Sequence, residues 1–196
     1  MHTLITGAAS GIGKAAALRL SKRSTITIAD KNADGALAVA GEINTAGGTA
    51  QAFGLDVCDP AAVQDMVASA EKGLGPIDAL FNNAGINLRG PVLDITGDDW
   101  DLMLNTHARG MFLVAQNTLR GMVERKAGVI VNTSSDFAVI GVPNLGAYCA
   151  AKTAIYAMTK ALALEFAPQG IRINAIGPGP IDTPILRQNR KPEEIG

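Results

Sequence analysis

Short runs rich in β-branched residues alternate with longer alanine-rich segments, and this alternation constrains the fold more than any other feature of the chain. The pattern predicts strands over residues 2–6, 25–30, 49–56, 77–82, 128–133 and 171–176. It predicts helices over residues 11–22, 34–46, 61–72, 98–125 and 147–166. Such alternation is typical of a parallel sheet with helices on both faces, so we expect a doubly wound α/β fold.

The 196 residues contain no internal repeat or domain boundary, which predicts one domain over residues 1–196. Residues 177–196 depart from the strand–helix pattern. Four prolines in this stretch fit an irregular segment or lid on the substrate side better than another strand: Pro178, Pro180, Pro184 and Pro192.

Composition excludes several classes of protein. The net charge of −1 comes from interspersed charges with no basic stripe, so we expect no nucleic-acid partner. Cys58 and Cys149 lack CxxC spacing and only two histidines occur, which argues against a metal site or a disulfide framework. No apolar stretch approaches the roughly 18 residues of a membrane span. No signal peptide opens the sequence, so we predict a cytoplasmic protein with no membrane partner.

A glycine-rich segment joins the first predicted strand to the first predicted helix. It reads Thr-Gly-Ala-Ala-Ser-Gly-Ile-Gly over residues 6–13. Glycines there allow a tight turn, and amide groups at the helix N-terminus can bind a pyrophosphate. We therefore predict a Rossmann-type dinucleotide site that includes Gly7, Ser10, Gly11, Ile12 and Gly13.

Two other interpretations of this segment compete with the dinucleotide site. A nucleoside-triphosphate loop needs Gly where Ala8 stands and Ser or Thr where Ala15 stands, so that pattern fails. A glycine-rich turn that binds no ligand stays open, because the spacing G-x-x-x-G-x-G differs from the common G-x-G-x-x-G.

Asp30 ends the second predicted strand, where an acidic residue bonds the adenosine ribose hydroxyls in dinucleotide sites. A carboxylate there repels the 2′-phosphate of NADP, so NAD is the predicted cofactor and NADP is disfavoured. Lys31 beside it would partly offset that repulsion. The alternative is that Asp30 only caps the following turn.

Two Tyr-x-x-x-Lys pairs occur, Tyr148/Lys152 and Tyr156/Lys160, and each spacing places both members on one helix face. The first pair lies at the predicted start of its helix, facing the carboxyl ends of the strands, where open α/β sheets bind ligands. Ser135 follows the fifth predicted strand at the same edge, whereas the position thirteen residues before Tyr156 is a proline. We therefore predict that Ser135, Tyr148 and Lys152 are catalytic and that Tyr156 is a packing residue.

These residue types suit proton transfer to or from a substrate oxygen. A phenol has an ordinary pKa of about 10, and a lysine cation together with an oxidised nicotinamide ring would favour phenolate. Tyr148 would then take the proton of an alcohol while a hydride leaves its carbon, or donate one to a carbonyl in reverse. Ser135 would hold the substrate oxygen, and Lys152 would also bind the nicotinamide ribose. The side chain of Ser134 should point in a different direction from that of Ser135, because successive side chains of an extended segment alternate.

Together these motifs resemble the short-chain dehydrogenase/reductase family. The matching segments run through nearly the whole chain in the family's order: residues 6–13, Asp56-Val57, Asn82-Asn83-Ala84-Gly85, Ser135, Tyr148-x-x-x-Lys152 and Pro178-Gly179-x-Ile181-x-Thr183. The resemblance implies roles in cofactor binding for three further groups of residues. Asp56 and Val57 would contact adenine, and Asn83, Ala84 and Gly85 would line the cofactor cleft. Ile181 and Thr183 would contact the nicotinamide carboxamide. Taken singly, each also has an ordinary interpretation as a turn, strand-end or loop residue.

The sequence departs from the family in its central helix. The family usually places a catalytic Asn five residues before a Phe there, and counting back from Phe112 reaches His107. Asn105 lies two residues away, on nearly the opposite face of a helix. We hypothesise that His107 replaces the Asn and relays protons through water. The alternative is a helix histidine with no catalytic part.

A second departure concerns length. Family members usually continue beyond this point with a substrate lid, another helix and a final strand. We therefore expect either a fragment of a longer protein or a short form whose sixth strand has an exposed edge.

The predicted function is hydride transfer between NAD and a secondary alcohol or ketone, as in an NAD(P)-dependent short-chain dehydrogenase/reductase. The alternatives are a catalytically impaired NAD-binding module and a structural subunit that binds no dinucleotide. Only 18% of the residues are charged, which fits a chain that buries apolar surface against another subunit. The family resemblance implies a homodimer or homotetramer. The substrate pocket is predicted near residues 87–91, Asp136, Phe137 and Val142, with Asp136 either a ligand for a polyol hydroxyl or a solvated loop acid.

Overall fold

Six parallel strands form one sheet in the computed structural model, which describes residues 1–188. The strands are β1 (His2–Thr6), β2 (Thr25–Asp30), β3 (Ala50–Gly54), β4 (Ala79–Asn82), β5 (Gly128–Thr133) and β6 (Ile171–Ile176). The predicted fold class is confirmed. Strands β3 and β4 are shorter than predicted. Before β4, the backbone of Ile77 is bonded to the side chains of Glu71 and Arg125 and not to a neighbouring strand.

Seven α-helices connect or follow these strands. They are α1 (Gly11–Leu20), α2 (Ala33–Thr45), α3 (Pro60–Leu74), α4 (Gly97–Leu104), α5 (Gly110–Arg125), α6 (Gly146–Phe166) and α7 (Pro184–Gln188). The helix predicted over 98–125 is wrong as one regular helix, because a π-helical turn, Asn105–Arg109, separates α4 from α5. Helix α7 lies in the stretch predicted to be irregular, and residues 189–196 of that stretch, including Pro192, lie outside the described residues.

The strand order β3-β2-β1-β4-β5-β6 places the first strand in the middle of the sheet. From β1 the chain winds outward to β2 and β3, then crosses back to lay β4 on the other side of β1. The connections leaving β1 and β4 therefore diverge to opposite faces. A crevice opens at the carboxyl ends of these two strands, and this is where open α/β sheets bind ligands.

Side chains of adjacent strand residues point to opposite faces, and each face has its own core. Ile5 packs with Ile26 and Ile28 against buried residues of α1 and α2. Leu4 packs with Leu80 and Ile130 against α3 and α5 on the other face. Helices thus cover both faces at the centre of the sheet, as predicted.

Strand β6 is covered on one face only. Ile171 and Ile173 are buried, whereas Arg172 and Asn174, which alternate with them, are exposed. Within residues 1–188, no helix is both long enough and apolar enough to cross a membrane. Cys58 and Cys149 are both free thiols.

Candidate active site

A cleft of about 490 Å³ opens at the carboxyl ends of the central strands, where the strand order predicts a ligand site. Sixteen of the seventeen residues predicted to be catalytic or to bind the cofactor line it, and the one that does not is Gly13. The residues that line it are Gly7, Ser10, Gly11, Ile12, Asp30, Asp56, Val57, Asn83, Ala84, Gly85, His107, Ser135, Tyr148, Lys152, Ile181 and Thr183.

Gly13 packs helix α1 against the loop that precedes it. A Cβ atom at this position would lie 2.2 Å from the carbonyl oxygen of Gly7, closer than non-bonded atoms can approach. Gly13 does not line the cleft, so its part in cofactor binding stays a prediction that rests on this packing role. Its missing side chain lets the helix begin close to the strand, which places the residues before it in the cleft.

The first turn of α1 is open toward this cleft. Its N-cap residue, Ser10, makes no side-chain capping hydrogen bond, so amide groups of the first turn stay available to a ligand. Gly7 has a φ of +64°, a left-handed conformation that lets the chain turn sharply out of β1. This arrangement is suited to binding an anionic group such as a pyrophosphate.

A hydrogen-bonded junction around Thr6 holds the glycine loop beside the end of β4. The Thr6 hydroxyl accepts from the amides of Asn83 (2.9 Å) and Ala84 (3.0 Å), and donates to the side chain of Asn82 (3.3 Å). The side-chain amide of Asn83 also donates to the carbonyl of Gly7. Asn83 thus shapes the cleft through backbone contacts, a role that the motif alone did not reveal.

Asp30 both lines the cleft and shapes its wall. Its carboxylate accepts from the amide of Ala9 in the glycine loop and from the amide of Asn32 in the following turn, each at 2.9 Å. The turn interpretation of Asp30 is therefore correct, and it does not exclude the ribose-binding one. Lys31 is bonded to Asp56 at 2.8 Å, so its charge is already paired with a carboxylate.

Asp56, which the family resemblance predicts to contact adenine, lines the cleft beside Lys31. Its other carboxylate oxygen accepts from the amide of Cys58 at 2.9 Å. Lys31, followed by this backbone hydrogen bond, lowers the pKa of Asp56. Thr183 closes the opposite wall, since its side chain lies next to the Cα of Gly11.

Tyr148 lies at the start of α6 and Lys152 one turn later, as predicted. The ammonium of Lys152 is 5.6 Å from the centre of the Tyr148 ring and donates to the carbonyl of Thr133 at 2.9 Å. Ser134 points away from the substrate side, as predicted, and its hydroxyl donates to the carbonyl of Lys152. The end of β5 and the residue after it therefore hold Lys152 at both its ammonium and its backbone.

Burial dominates the acid–base properties of this pair. It raises the pKa of Tyr148, which the Asp136 charge raises further and a hydrogen bond with Ser135 partly lowers. Burial also lowers the pKa of Lys152 to about 7. Burial therefore favours the neutral phenol in the chain by itself, and the expectation that Lys152 together with an oxidised nicotinamide favours the phenolate stays a prediction.

Ser135 is bonded to the residues that follow it. Its hydroxyl donates to a carboxylate oxygen of Asp136 at 2.9 Å and accepts from the amide of Phe137 at 3.2 Å. Hydrogen bonding by Ser135 lowers the pKa of Tyr148, because a hydroxyl that donates to the phenolate stabilises it. A hydroxyl has one proton, so Ser135 must release Asp136 in order to donate to the phenolate.

His107 is buried beneath the same site, on the π-helical turn. Its ring meets that of Tyr148 edge to face at 5.6 Å between centroids and lies against Gly85. Burial, followed by the charge of Lys152, lowers the pKa of His107 to about 3, so the ring is neutral near pH 7. Asn105 is exposed, which confirms that the two residues face different directions.

The contacts of His107 identify its tautomer. Nε2 lies 2.8 Å from the carbonyl oxygen of Ile86 and 3.2 Å from the Ile86 amide nitrogen, and it cannot serve both. The shorter contact assigns the proton to Nε2, which donates to the carbonyl. Nδ1 is then a buried acceptor with no partner among the described residues.

Other predictions near the substrate end have mixed outcomes. Asp136 and Phe137 line the cleft, and so do Asn87 and Arg89, but Val142 does not. Tyr156 is half exposed and pairs with the Lys160 ammonium on the surface, so the prediction that it packs inside is wrong. No group of three or more candidate metal ligands occurs among residues 1–188.

Comparison with known proteins identifies a family. A family model described as short chain dehydrogenase matches residues 1–194. Two curated proteins of Xanthobacter autotrophicus are similar. One is 2-(S)-hydroxypropyl-CoM dehydrogenase 3, 37% identical over 94% of this chain and 72% of its own length. The other is named inactive 2-(S)-hydroxypropyl-CoM dehydrogenase 2, 38% identical over 89% and 78%.

A solved structure extends this similarity to three dimensions. The crystal structure of NAD⁺-bound xylitol dehydrogenase superimposes with a TM-score of 0.88. It is 38% identical in sequence, and the match covers 92% of this chain and 71% of the other.

Proposed function

Because this chain belongs to the short-chain dehydrogenase/reductase family, we propose that it is an NAD-dependent oxidoreductase that interconverts a secondary alcohol and its ketone. Relatives support the general reaction on alcohols and carbonyl compounds. The observation that carries the proposal is the placement of Tyr148, between Ser135 and Lys152, at the carboxyl edge of the sheet.

The residues of the cleft fit a dinucleotide. The uncapped first turn of α1 suits the pyrophosphate, and the fixed carboxylate of Asp30 suits a ribose diol. Tyr148, Lys152, Ile181 and Thr183 would surround the nicotinamide end. The bound nicotinamide supplies the hydride acceptor for alcohol oxidation, or the hydride donor for carbonyl reduction.

NAD is proposed over NADP because the carboxylate of Asp30 faces the cleft and Lys31 is already paired with Asp56. A 2′-phosphate placed near Asp30 would meet a negative charge with no free neighbouring cation from Lys31. The NAD⁺-bound xylitol dehydrogenase, a relative in sequence and structure, supports the same choice.

Tyr148 exchanges a proton with the substrate oxygen. In carbonyl reduction its neutral phenol, stabilised by burial, donates the proton. In alcohol oxidation Tyr148 must first lose its own proton toward Lys152; the alcohol O–H bond then breaks, its proton passes to the phenolate oxygen, and the C–H electron pair leaves as hydride to the bound nicotinamide. Ser135 holds the substrate oxygen by hydrogen bonding through this exchange.

Lys152 and His107 supply the proton path behind Tyr148. A lysine with a pKa of about 7 changes protonation near neutral pH. The unpartnered Nδ1 of His107 can accept a hydrogen bond from a water between it and Lys152, while its Nε2 stays bonded to Ile86. Because the ring stays neutral with its one proton on Nε2, His107 would orient this water, and the proton would move through the water and not through the ring.

Replacement of Tyr148 tests the assignment. Tyr148→Phe should lower kcat for NAD⁺-dependent alcohol oxidation by about 10²- to 10⁴-fold, while NADH binding measured by fluorescence is retained. Tyr156→Phe is the matched control, because it removes a phenol at the same spacing on the surface. Near-wild-type turnover in Tyr148→Phe would refute the role of Tyr148.

A second function, an NAD-binding module without turnover, is supported by the relative that is named inactive. It predicts NADH binding with no NAD⁺ reduction across sugars, sterols, hydroxyacids and acyl thioesters. Measurable turnover of any one of these removes this alternative.

Self-association into a homodimer or homotetramer is part of the proposal. Leu164 is 81% exposed on α6, near the surface pair Tyr156 and Lys160, which supports an apolar contact between subunits. Light scattering that gives only a monomer would remove this inference. A location in the cytoplasm stays a prediction from the sequence.

A further inference from the structure

Asp136 directly follows Ser135 and begins a short 3₁₀ turn, Asp136–Ala138, at the substrate end of the cleft. One of its carboxylate oxygens, Oδ1, accepts from the Ser135 hydroxyl at 2.9 Å and from the Phe137 amide at 2.8 Å. These two bonds fix the plane of the carboxylate. The side chain is therefore positioned before any substrate arrives.

The second oxygen of Asp136 has no hydrogen-bond partner within residues 1–188. Oδ2 lies near the cleft wall formed by Gly179, 3.5 Å from where a Cβ of that residue would stand. The ring of Phe137, the next residue, meets that of Tyr148 edge to face at 6.5 Å between centroids, and Asp136 and Tyr148 line the same cleft. A directed acceptor is thus available in the part of the cleft that holds Tyr148.

We propose that Asp136 selects substrates with a second hydroxyl next to the reacting one, namely vicinal diols and polyols, by accepting that hydroxyl at Oδ2. The proposal rests on the proposed oxidoreductase function and specifies its substrate class. Ser135 holds the reacting oxygen, and Asp136 holds the neighbouring one. Because the two residues are adjacent and bonded to each other, they bind the two neighbouring substrate oxygens together.

The chemistry of a carboxylate explains the selectivity. An ionised carboxylate can only accept hydrogen bonds, so it favours a neighbouring O–H over a C–H group and repels a neighbouring anion. A substrate without the second hydroxyl displaces water from Oδ2 and returns no hydrogen bond. Sites built to bond a substrate hydroxyl discriminate strongly against analogues that lack it.

A purely structural role for Asp136 makes a different prediction. If the carboxylate only orients the Ser135 hydroxyl, its replacement should slow all alcohols by the same factor. If Oδ2 binds substrate, the ratio of kcat/KM for a diol to kcat/KM for its mono-alcohol should change. This ratio therefore separates the two roles.

The experiment compares 2,3-butanediol with 2-butanol, which have the same carbon skeleton, as substrates for NAD⁺ reduction. Wild-type protein should favour the diol in kcat/KM by at least about 10-fold, as expected for one hydrogen bond to a charged group. Asp136→Asn keeps an oxygen for Ser135 and Phe137 but replaces Oδ2 with a donor. It should lower the diol-to-mono-alcohol ratio by about 10- to 100-fold.

Asp65→Asn is the matched control, because Asp65 is an exposed carboxylate on α3 outside the cleft. It should keep the wild-type ratio. Turnover of both alcohols with the same ratio in wild type and Asp136→Asn would overturn the Asp136 proposal and leave the oxidoreductase function intact.

A binding measurement covers the case in which neither alcohol is turned over, which would contradict the oxidoreductase function. Saturation-transfer NMR of the two alcohols with the protein and NADH reports recognition without chemistry. The proposal is supported if Asp136→Asn binds the diol more weakly than wild type does and binds 2-butanol as wild type does. Equal diol binding in the two proteins overturns it.

Discussion

The buried histidine of the candidate active site makes stability depend on pH in a way that can be calculated. In the folded chain the pKa of His107 is about 3, against an ordinary value of about 6.5 in the unfolded chain. Between these values the unfolded state binds more protons than the folded state. Stability is therefore fully present above pH 6.5 and falls as the pH is lowered toward 3.

The size of the loss follows from the same two values. At pH 5 the ring is protonated in the unfolded chain and neutral in the folded one, and pH 5 lies about 1.5 below the ordinary pKa. At about 1.36 kcal/mol for each pH unit, the free energy of unfolding should drop by about 2 kcal/mol between pH 7.5 and pH 5. This result holds for any folded pKa below about 4.

Urea unfolding of wild type and His107→Asn at both pH values measures this contribution. Asn is the residue that the family usually places here, and it does not titrate. The variant should lack the loss of about 2 kcal/mol, whatever its absolute stability at pH 7.5. His2, whose pKa burial also lowers, is present in both proteins and cancels in the difference. Equal pH dependence in the two proteins would refute the claim that His107 is buried and neutral.

Three further predictions concern other parts of the site. Gly13→Ala should lower the free energy of unfolding by at least about 2 kcal/mol in urea denaturation, because the new methyl group would overlap the backbone of Gly7; unchanged stability would show that α1 can move freely. Lys152 has a depressed pKa of about 7, so the unfolded state binds more protons between pH 7 and 10.5 and stability rises with pH in this window. From pH 7 to pH 9 wild type should gain about 2 kcal/mol relative to Lys152→Met in the same assay, and parallel curves would contradict the burial of a neutral amine. Wild type should also show a higher kcat/KM with NAD⁺ than with NADP⁺, and Asp30→Ala should reduce that preference by at least about 10-fold; a wild-type preference for NADP⁺ would reverse the cofactor proposal.

The central architecture could be predicted from the sequence because it depends on local patterns. Apolar β-branched runs defined four of the six strands with the bounds that the structure has, and strand–helix alternation gave the parallel sheet. The glycine segment and the Tyr148/Lys152 spacing were recognisable for the same reason. Each needs only residues that are close together in sequence.

Features that depend on contacts between distant segments could not be predicted. The pairing of His107 with Ile86 and Gly85 arises only when the central helix packs on the loop after β4. The π-helical turn that carries His107 has no signature in the helical periodicity. Likewise, Gly13 sits in a recognisable phosphate-loop motif, but only the packed structure shows that it contacts backbone and not the cleft.

The electrostatic environment also depends on packing. From the sequence, a Lys152 cation and an oxidised nicotinamide are expected to favour the phenolate of Tyr148. In the chain by itself, burial raises the pKa of Tyr148 and lowers that of Lys152, because desolvation disfavours every charged form. Asp136 shows the same limit, since only the structure reveals that one oxygen is tied to Ser135 and the other is free for a ligand.

A crystal structure of the chain grown with NAD⁺ tests the central claim most directly. We predict a dinucleotide in the cleft, with its pyrophosphate at the first turn of α1 and its nicotinamide ribose within hydrogen-bonding distance of Tyr148 and Lys152. The Tyr148 and Ser135 oxygens should face one shared pocket. A dinucleotide bound elsewhere, or a Tyr148 oxygen turned away from Ser135, would contradict the proposed enzyme.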